Sequence, residues 1–228
     1  MLGSHRRVKS RWRTRYFGLP SRKNGLMKTI LSPTTDQWSE LTARPTTSLD
    51  YVMPVVDEVF GAIQRQGDKA IQSYSEKFDG YRPERIELDL ADLKNAKNEL
   101  SADLRAAIDK AYDNIYAFHK AQQTDRVQLD VQEGVSCWQE KRPIEKVGLY
   151  IPGGTAPLFS SILMLAIPAT IAGCREIVLC TPPNQSGQLA PAIRYAANKC
   201  GVTRLFQVGG IQAIGGMTFG TETIPQVT

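Results

Sequence analysis

The sequence has few of the residues that build metal sites. It contains two histidines and four cysteines among 228 residues, and no two cysteines have C-x-x-C spacing. Without that pattern or a secretory signal, Cys137, Cys174, Cys180 and Cys200 are predicted to be reduced thiols rather than disulfides or zinc ligands. His119 has no second His, Cys or Asp at zinc-ligand spacing, so we expect a surface or satisfied helical histidine.

Long apolar runs and catalytic patterns are missing as well. No run of about 18 apolar residues occurs, which argues against a transmembrane helix. Pro168 interrupts the apolar segment 162–171, which is predicted to be a buried core helix. Ser160 and Ser161 lack the G-x-S-x-G pattern of a nucleophile elbow. Five acidic residues on polar helix faces are expected to be solvated: Asp57, Glu58, Asp103, Asp109 and Asp113.

Acidic residues are absent from residues 1–26, which hold eight of the 28 basic residues. Residues 27–228 therefore contain 20 basic and 23 acidic residues, and the net charge of +5 comes from this leader. The leader is a nucleic-acid arm, an organellar transit peptide, or upstream sequence translated before a start at Met27. Nucleic-acid binding by the rest of the chain is not expected. The expected location is cytoplasmic, or organellar if the leader is a transit peptide.

Residues 147–181 read as a strand, a glycine turn, an apolar helix and a second strand. The strands are predicted at 147–151 and 176–180, and the helix at 157–172. Both strand sequences are continuously apolar, as in parallel strands covered on both faces. The segment therefore predicts a parallel βαβ unit.

The remaining pattern predicts a helix-rich first half and a β-α-β-α-β-α second half. Helices are expected at 37–43, from 49 to Gly67, and at 69–78 with Asp68 as the cap, 91–100, 102–122 and 188–199. The helix at 102–122 carries Leu104, Ile108, Ala111, Ile115 and Phe118 on one stripe. Residues 85–90 suit a strand with Ile86, Leu88 and Leu90 on its buried face, and 127–131 with 135–141 suit a hairpin. A further strand is expected at 204–208.

These elements predict an α/β fold with three regions. They are the leader 1–26, a helical region with a hairpin at 27–146, and a parallel sheet region at 147–228.

Two glycine turns are candidate ligand-binding elements. Gly153 and Gly154 follow the strand at 147–151, and Gly209-Gly210 follows the strand at 204–208. Open α/β sheets bind ligands where parallel strands end, and helix N-termini favour phosphate. Tight turns alone would also explain these glycines, since neither run matches G-x-G-x-x-G. Tyr150 either contacts a cofactor or is a half-buried strand residue, and Gln212 either binds a ligand or solvates a helix start.

The stretch VGLYIPGGTAPLFSSILMLAIPATIAGCREIVLCTPP resembles histidinol dehydrogenases. GDKAIQSYSEKFDG at 67–80, RPIEKVGLYIPGG at 142–154 and FQVGGIQAIGGMTFGTETIPQV at 206–227 resemble the same family in the same order. The resemblance extends over 27–228. Its PGG-x-APL and GG-x-QAI motifs are specific to the family when they occur together.

The resemblance implies an incomplete Rossmann-like domain and a zinc- and NAD-dependent enzyme. Family members oxidise L-histidinol to L-histidine through L-histidinaldehyde with two NAD⁺, as homodimers with shared active sites. Tyr150 and Gln212 match family residues that contact NAD, and Gly153 and Gly154 belong to the matching turn. The zinc ligands, the substrate-binding serine and the glutamate–histidine pair would lie beyond Thr228. The chain alone is therefore expected to be inactive. The alternative is a truncated, non-catalytic nucleotide-binding or interaction module.

Overall fold

The computed structural model describes residues 30–44, 50–154 and 156–228. The predictions for the leader and for Met27 lie outside these residues. The chain divides into two compact units, 1–48 and 49–228. In the described part of the first unit, the short helix predicted at 37–43 is present as α1 (Thr35–Leu41), which begins and ends two residues earlier. The backbone N–H of Thr34 donates to Gln37 Oε1 at 3.1 Å, which satisfies one group at the helix start.

The second unit contains the sheet that carries the candidate site. Its described elements are, in chain order, α2 (Met53–Gln66), α3 (Asp68–Asp79), β1 (Glu87–Leu88), α4 (Leu90–Asn95), a 3₁₀ turn (Ala96–Asn98), α5 (Ala102–Ala121), β2 (Gln128–Gln132), β3 (Val135–Trp138), β4 (Lys146–Tyr150), α6 (Phe159–Ala172), β5 (Glu176–Cys180), α7 (Pro191–Lys199), β6 (Arg204–Phe206) and α8 (Gly210–Phe219). The main sheet has the order β1-β6-β5-β4. In it β4, β5 and β6 are parallel, and β1 is antiparallel to β6. The predicted α/β fold and the parallel βαβ unit are confirmed.

The central strand β5 is buried on both faces. Ile177 and Leu179 pack into a core shared with α6 and α7. Val178 and Cys180 point the other way, into a core shared with α2, α3 and α8. The continuous apolar sequence of this strand follows from that position, because a covered face lies on each side.

Helix α8 approaches its neighbours closely because it carries two adjacent glycines. A Cβ on Gly215 would lie 2.6 Å from Ile63 Cδ1 on α2. A Cβ on Gly216 would lie 2.9 Å from Ile224 Cδ1. Larger residues would push these side chains apart, so the glycines set the depth of α8 against α2 and the C-terminal segment.

The predicted strand at 85–90 is shorter in the structure. Only Glu87–Leu88 pairs with β6, and Leu90 begins α4 with 52% of its surface exposed, so its predicted burial is wrong. Arg204 on β6 donates to both carboxylate oxygens of Glu87 at 2.8 and 2.7 Å. This bidentate pair stabilises a two-residue edge strand. The alternating sequence predicted a longer strand than the one that forms.

The start of α3 also differs from the prediction. Asp68 is the first helical residue and not the cap, and the helix begins after Gly67. The backbone N–H of Asp68 donates to Glu222 Oε2 at 2.8 Å, and the Asp68 carboxylate accepts from Thr223 Oγ1. The C-terminal segment therefore satisfies this helix end, a contact that no local pattern could reveal.

Several apolar side chains of α5 and α6 are exposed. Of the predicted α5 stripe only Ile108 is buried, and Phe118 is 65% exposed. On α6, Ile162, Leu163, Ala166 and Ile167 lie in the core while Met164 and Leu165 are exposed, so the predicted core helix is buried on one face only. Asp109 on α5 is paired with Tyr195 and Lys199 rather than simply solvated. No helix in the described ranges has the length and apolar character needed to cross a bilayer.

The hairpin formed by β2 and β3 is present as predicted. It turns through Gly134, which has a φ of +75°, and its register shifts between Asp130 and Gln132. All residues of both strands are exposed. The apolar ones include Leu129, which is 61% exposed, and Trp138, which is 58% exposed.

Candidate functional site

The three parallel strands end together at one edge of the sheet. Tyr150 at the end of β4 is in register with Cys180 at the end of β5, which in turn pairs with Phe206 at the end of β6. The two predicted glycine turns therefore follow β4 and β6, the strands on either side of β5, at the same edge. Such an edge is where open parallel sheets bind their ligands.

Pro182 lies between the two glycine turns. A Cβ on Gly153 would lie 2.6 Å from Pro182 Cγ, and a Cβ on Gly209 would lie 2.6 Å from Pro182 Cβ. Packing against this proline explains both glycines without a ligand. At Gly154 the nearest atom to an added Cβ is Ala156 O at 3.9 Å, so the backbone is open to approach there. Gly210 has a φ of +59°, which favours glycine for a conformational reason.

Tyr150 joins the end of β4 to the start of α8. Its side chain is half-buried, and its hydroxyl oxygen accepts a hydrogen bond from the Gly210 N–H at 3.0 Å. Since the oxygen is the acceptor in that bond, the hydroxyl proton remains available for another group. Half-burial agrees with the simpler interpretation of Tyr150, but the hydrogen bond brings its polar end to the predicted crevice.

Gln212 lies in the first turn of α8, as predicted, and its side chain is completely buried. This burial excludes the alternative in which it solvates the helix start. Its Nε2 donates to Asp79 Oδ2 at 2.8 Å. Its Oε1 has no hydrogen-bond donor within the described ranges. The buried acceptor lies beside Gly210, where an added Cβ would be 2.9 Å away.

Asp79 is a further residue of the candidate site, which no sequence pattern indicated. It ends α3, just before Gly80, which has a φ of +72°. The residue is exposed overall, but its carboxyl group lies against Gln212, and desolvation raises its pKa while the hydrogen bond from Gln212 opposes that rise. The contact joins residues 133 positions apart, so no spacing pattern could have revealed it.

The described residues include no group of three or more His, Cys, Asp or Glu side chains that could hold a metal ion. His119 is a helical residue whose Nδ1 lies 2.9 Å from Gln122 Oε1, which agrees with the structural role predicted for it. The donor set present therefore does not fit zinc. The groups at the edge of the sheet are chemically compatible with a dinucleotide: a buried acceptor without a donor in the described ranges, a hydroxyl proton not used in the bond to Gly210, and an accessible glycine backbone.

Comparison with known proteins agrees with these observations. The family model for histidinol dehydrogenase matches residues 42–228. The chain is 46% identical over 201 residues to a histidinol dehydrogenase of Bacteroides fragilis, covering 88% of this chain and 47% of that protein. It is 43% identical over 197 residues to that of Escherichia coli, covering 86% and 44%.

A solved structure shares the fold. The crystal structure of histidinol dehydrogenase from Elizabethkingia anophelis superposes with a TM-score of 0.81 at 45% identity, covering 86% of this chain and 45% of that one. The chain thus spans about half the length of the relatives it matches. The matched residues include the parallel sheet and both glycine turns, and the chain belongs to the histidinol dehydrogenase family, a family of oxidoreductases of histidine biosynthesis.

Proposed function

We propose that this chain forms the NAD-binding region of a histidinol dehydrogenase. The complete enzyme would oxidise L-histidinol to L-histidinaldehyde and then to L-histidine, with one NAD⁺ used in each oxidation. The observation that carries the proposal is the buried Gln212 Oε1, which has no donor in the described part of the chain and adjoins Gly210, the residue that also bonds the Tyr150 hydroxyl. Family membership supports the same activity.

The polarity of this cluster suits a dinucleotide. Tyr150 can donate its hydroxyl proton to a ligand oxygen, and Gln212 Oε1 can accept from a hydroxyl or amide of the ligand. The N-terminus of α8 favours a phosphate, and Gly154 leaves its backbone accessible. Bound NAD⁺ would supply the hydride acceptor, while these residues would hold and orient it. Gly153 would contribute through its packing against Pro182.

The test is titration of the 228-residue chain with NAD⁺ by isothermal calorimetry. We expect saturable binding that Gln212→Ala and Tyr150→Phe each weaken by about ten-fold, the typical effect of losing one well-placed hydrogen bond. Gln139→Ala and Tyr116→Phe are matched controls, since both side chains are exposed and belong to the segment before β4 and to α5, not to the loops that follow the parallel strands. No binding by the unaltered chain, or equal weakening by the controls, would contradict the proposal.

We further propose that the chain alone does not turn over histidinol. It spans about half of its relatives' length, and the resemblance assigns zinc and the acid–base pair to the other half. The described residues do not fit zinc, so we derive no catalytic step through it. NADH absorbance, recorded with histidinol, NAD⁺ and zinc, should stay at the blank rate. Turnover above blank would refute this. If the full-length gene product also bound NAD⁺ without oxidising histidinol, that result would favour the non-catalytic nucleotide-binding module.

We propose that the complete enzyme forms a homodimer, in which the partner is a second copy of the same chain. The apolar residues of the hairpin support it, because wholly exposed strands with large apolar side chains are typical of interaction surfaces. Replacing Leu129 and Trp138 by serine should weaken self-association in sedimentation velocity experiments. Leu90→Ser is the matched control, since Leu90 is an exposed leucine outside the hairpin. Unchanged association of the double variant would exclude the hairpin as an interface.

A further inference from the structure

Asp79 contacts the candidate cofactor-binding residue from an element that carries no recognisable motif. It lies at the end of α3, whereas Gln212 lies in the first turn of α8. The only hydrogen bond of the Gln212 amide nitrogen within the described ranges goes to Asp79 Oδ2, at 2.8 Å. This bond determines which way the carboxamide faces.

The direction of the carboxamide has a chemical cause. A carboxylate offers only acceptor atoms, so it selects the amide nitrogen and turns Oε1 away from itself. Oε1 then lies beside Gly210, at the start of α8. In the opposite orientation, two oxygens would face each other at hydrogen-bond distance, which is unfavourable while Asp79 is ionised.

An unsatisfied buried acceptor destabilises the folded state, because the hydrogen bonds that it made to water are not replaced. Gln212 Oε1 stays in this position because the amide nitrogen of the same side chain is hydrogen-bonded to Asp79. Gln212 is fully buried, and its Oε1 has no donor in the described part of the chain. The arrangement is explained if a ligand supplies the donor.

From this geometry we propose that Asp79 is a positioning residue of the dinucleotide crevice. It holds the Gln212 carboxamide so that Oε1 accepts a hydrogen bond from a hydroxyl or amide group of the bound NAD⁺. Asp79 itself does not touch the cofactor in this scheme and acts through Gln212. The inference rests on the proposed NAD-binding function.

The test is a double-mutant cycle on NAD⁺ affinity in the 228-residue chain. Asp79→Ala should weaken binding about five-fold, because the carboxamide loses its orienting partner. In a Gln212→Ala background the same substitution should have no further effect. Asp79→Asn should restore affinity to within about two-fold of the original, since its amide oxygen can still accept from Nε2.

Glu76→Ala is the control for loss of a negative charge on α3, since Glu76 makes an exposed ion pair with Arg82. Thermal unfolding of every variant separates misfolding from a local effect. Additive losses from Asp79→Ala and Gln212→Ala, or no rescue by Asp79→Asn, would overturn the positioning role while leaving NAD⁺ binding intact. Failure of the unaltered chain to bind NAD⁺ would overturn both proposals together.

Discussion

Thiol reactivity is decided residue by residue in this protein. Cys180 and Cys200 are at most 2% exposed, and desolvation raises the pKa of each thiol to about 12. Cys137 lies on the exposed hairpin strand β3. The reactive species of a cysteine is the thiolate, so burial and a raised pKa both lower the reactivity of Cys180 and Cys200.

With a chromogenic disulfide reagent at neutral pH, Cys137 should react first. Cys180 and Cys200 should react at least about 100-fold more slowly, at a rate that follows unfolding. The control is Cys137→Ser, which should remove the fastest phase and leave the slow phases unchanged. Persistence of that phase at full amplitude would show that the hairpin cysteine is not the accessible one.

Tyr150 and Gln212 show how far residue-level prediction reaches. Their position beside glycine turns was predictable because the carboxyl ends of parallel strands lie at one edge of the sheet. The hydroxyl bond to Gly210 and the carboxamide bond to Asp79 were not, because each depends on how α8 and α3 pack.

Helix α3 is tied to the C-terminal segment through its first turn. Gly67 precedes it with a φ of +52°, and a Cβ at that position would collide with the Glu222 carboxylate. That carboxylate accepts from the Asp68 N–H, and this bond lowers the pKa of Glu222. The α2–α3 connection thus requires glycine for two reasons, conformation and space.

Gly67→Ala should therefore destabilise the protein more than a glycine replacement that causes backbone strain alone, because the added Cβ also displaces the Glu222 carboxylate. Gly80→Ala is the comparison, because Gly80 has a φ of +72° and a ψ of 15°, in the left-handed region, with nothing within 4 Å of an added Cβ, whereas Gly67 has a ψ of −128°. Gly80→Ala should lose only about 1–2 kcal/mol from strain. Urea denaturation measures both, and equal losses would show that the Glu222 contact adds nothing.

Element boundaries were predictable where the pattern was long. The helices α2 and α5 and the strands β4 and β5 follow their sequence signals within a few residues. The shortest element, β1, was not, because its pairing depends on β6 and on the Arg204–Glu87 pair. Residues 85–90 alternate over a longer stretch than the strand that forms.

The stability of the whole unit should decline at alkaline pH. Tyr195 on α7 donates to Asp109 on α5 at 2.6 Å, and desolvation together with this carboxylate raises the tyrosine pKa to about 12. An unfolded tyrosine ionises near pH 10. Between these values the folded state binds the proton more tightly, so stability falls as the pH rises from about 10 to about 12.

Tyr195→Phe tests this linkage. At pH 8 the variant should be less stable by about 1 kcal/mol, because it lacks the hydrogen bond to Asp109. The difference should shrink towards pH 12, where the unaltered protein has lost the contribution of Tyr195. The measurement is the melting temperature of both proteins over this pH range. Tyr74 and Tyr112 are present in both proteins, so their titration cancels in the difference. A difference that is constant with pH would contradict the assignment.

The sequence by itself determined the α/β class, the parallel βαβ unit and the family. Continuous apolar strands and glycine turns are local signals. They can be recognised in a single sequence because each depends only on residues that are close together in the chain. Only the tertiary structure decided that Asp79 orients Gln212, that Glu222 closes the start of α3 and that Pro182 separates the two glycine turns. Each of these contacts joins residues far apart in the chain, and their distances are set by packing between elements.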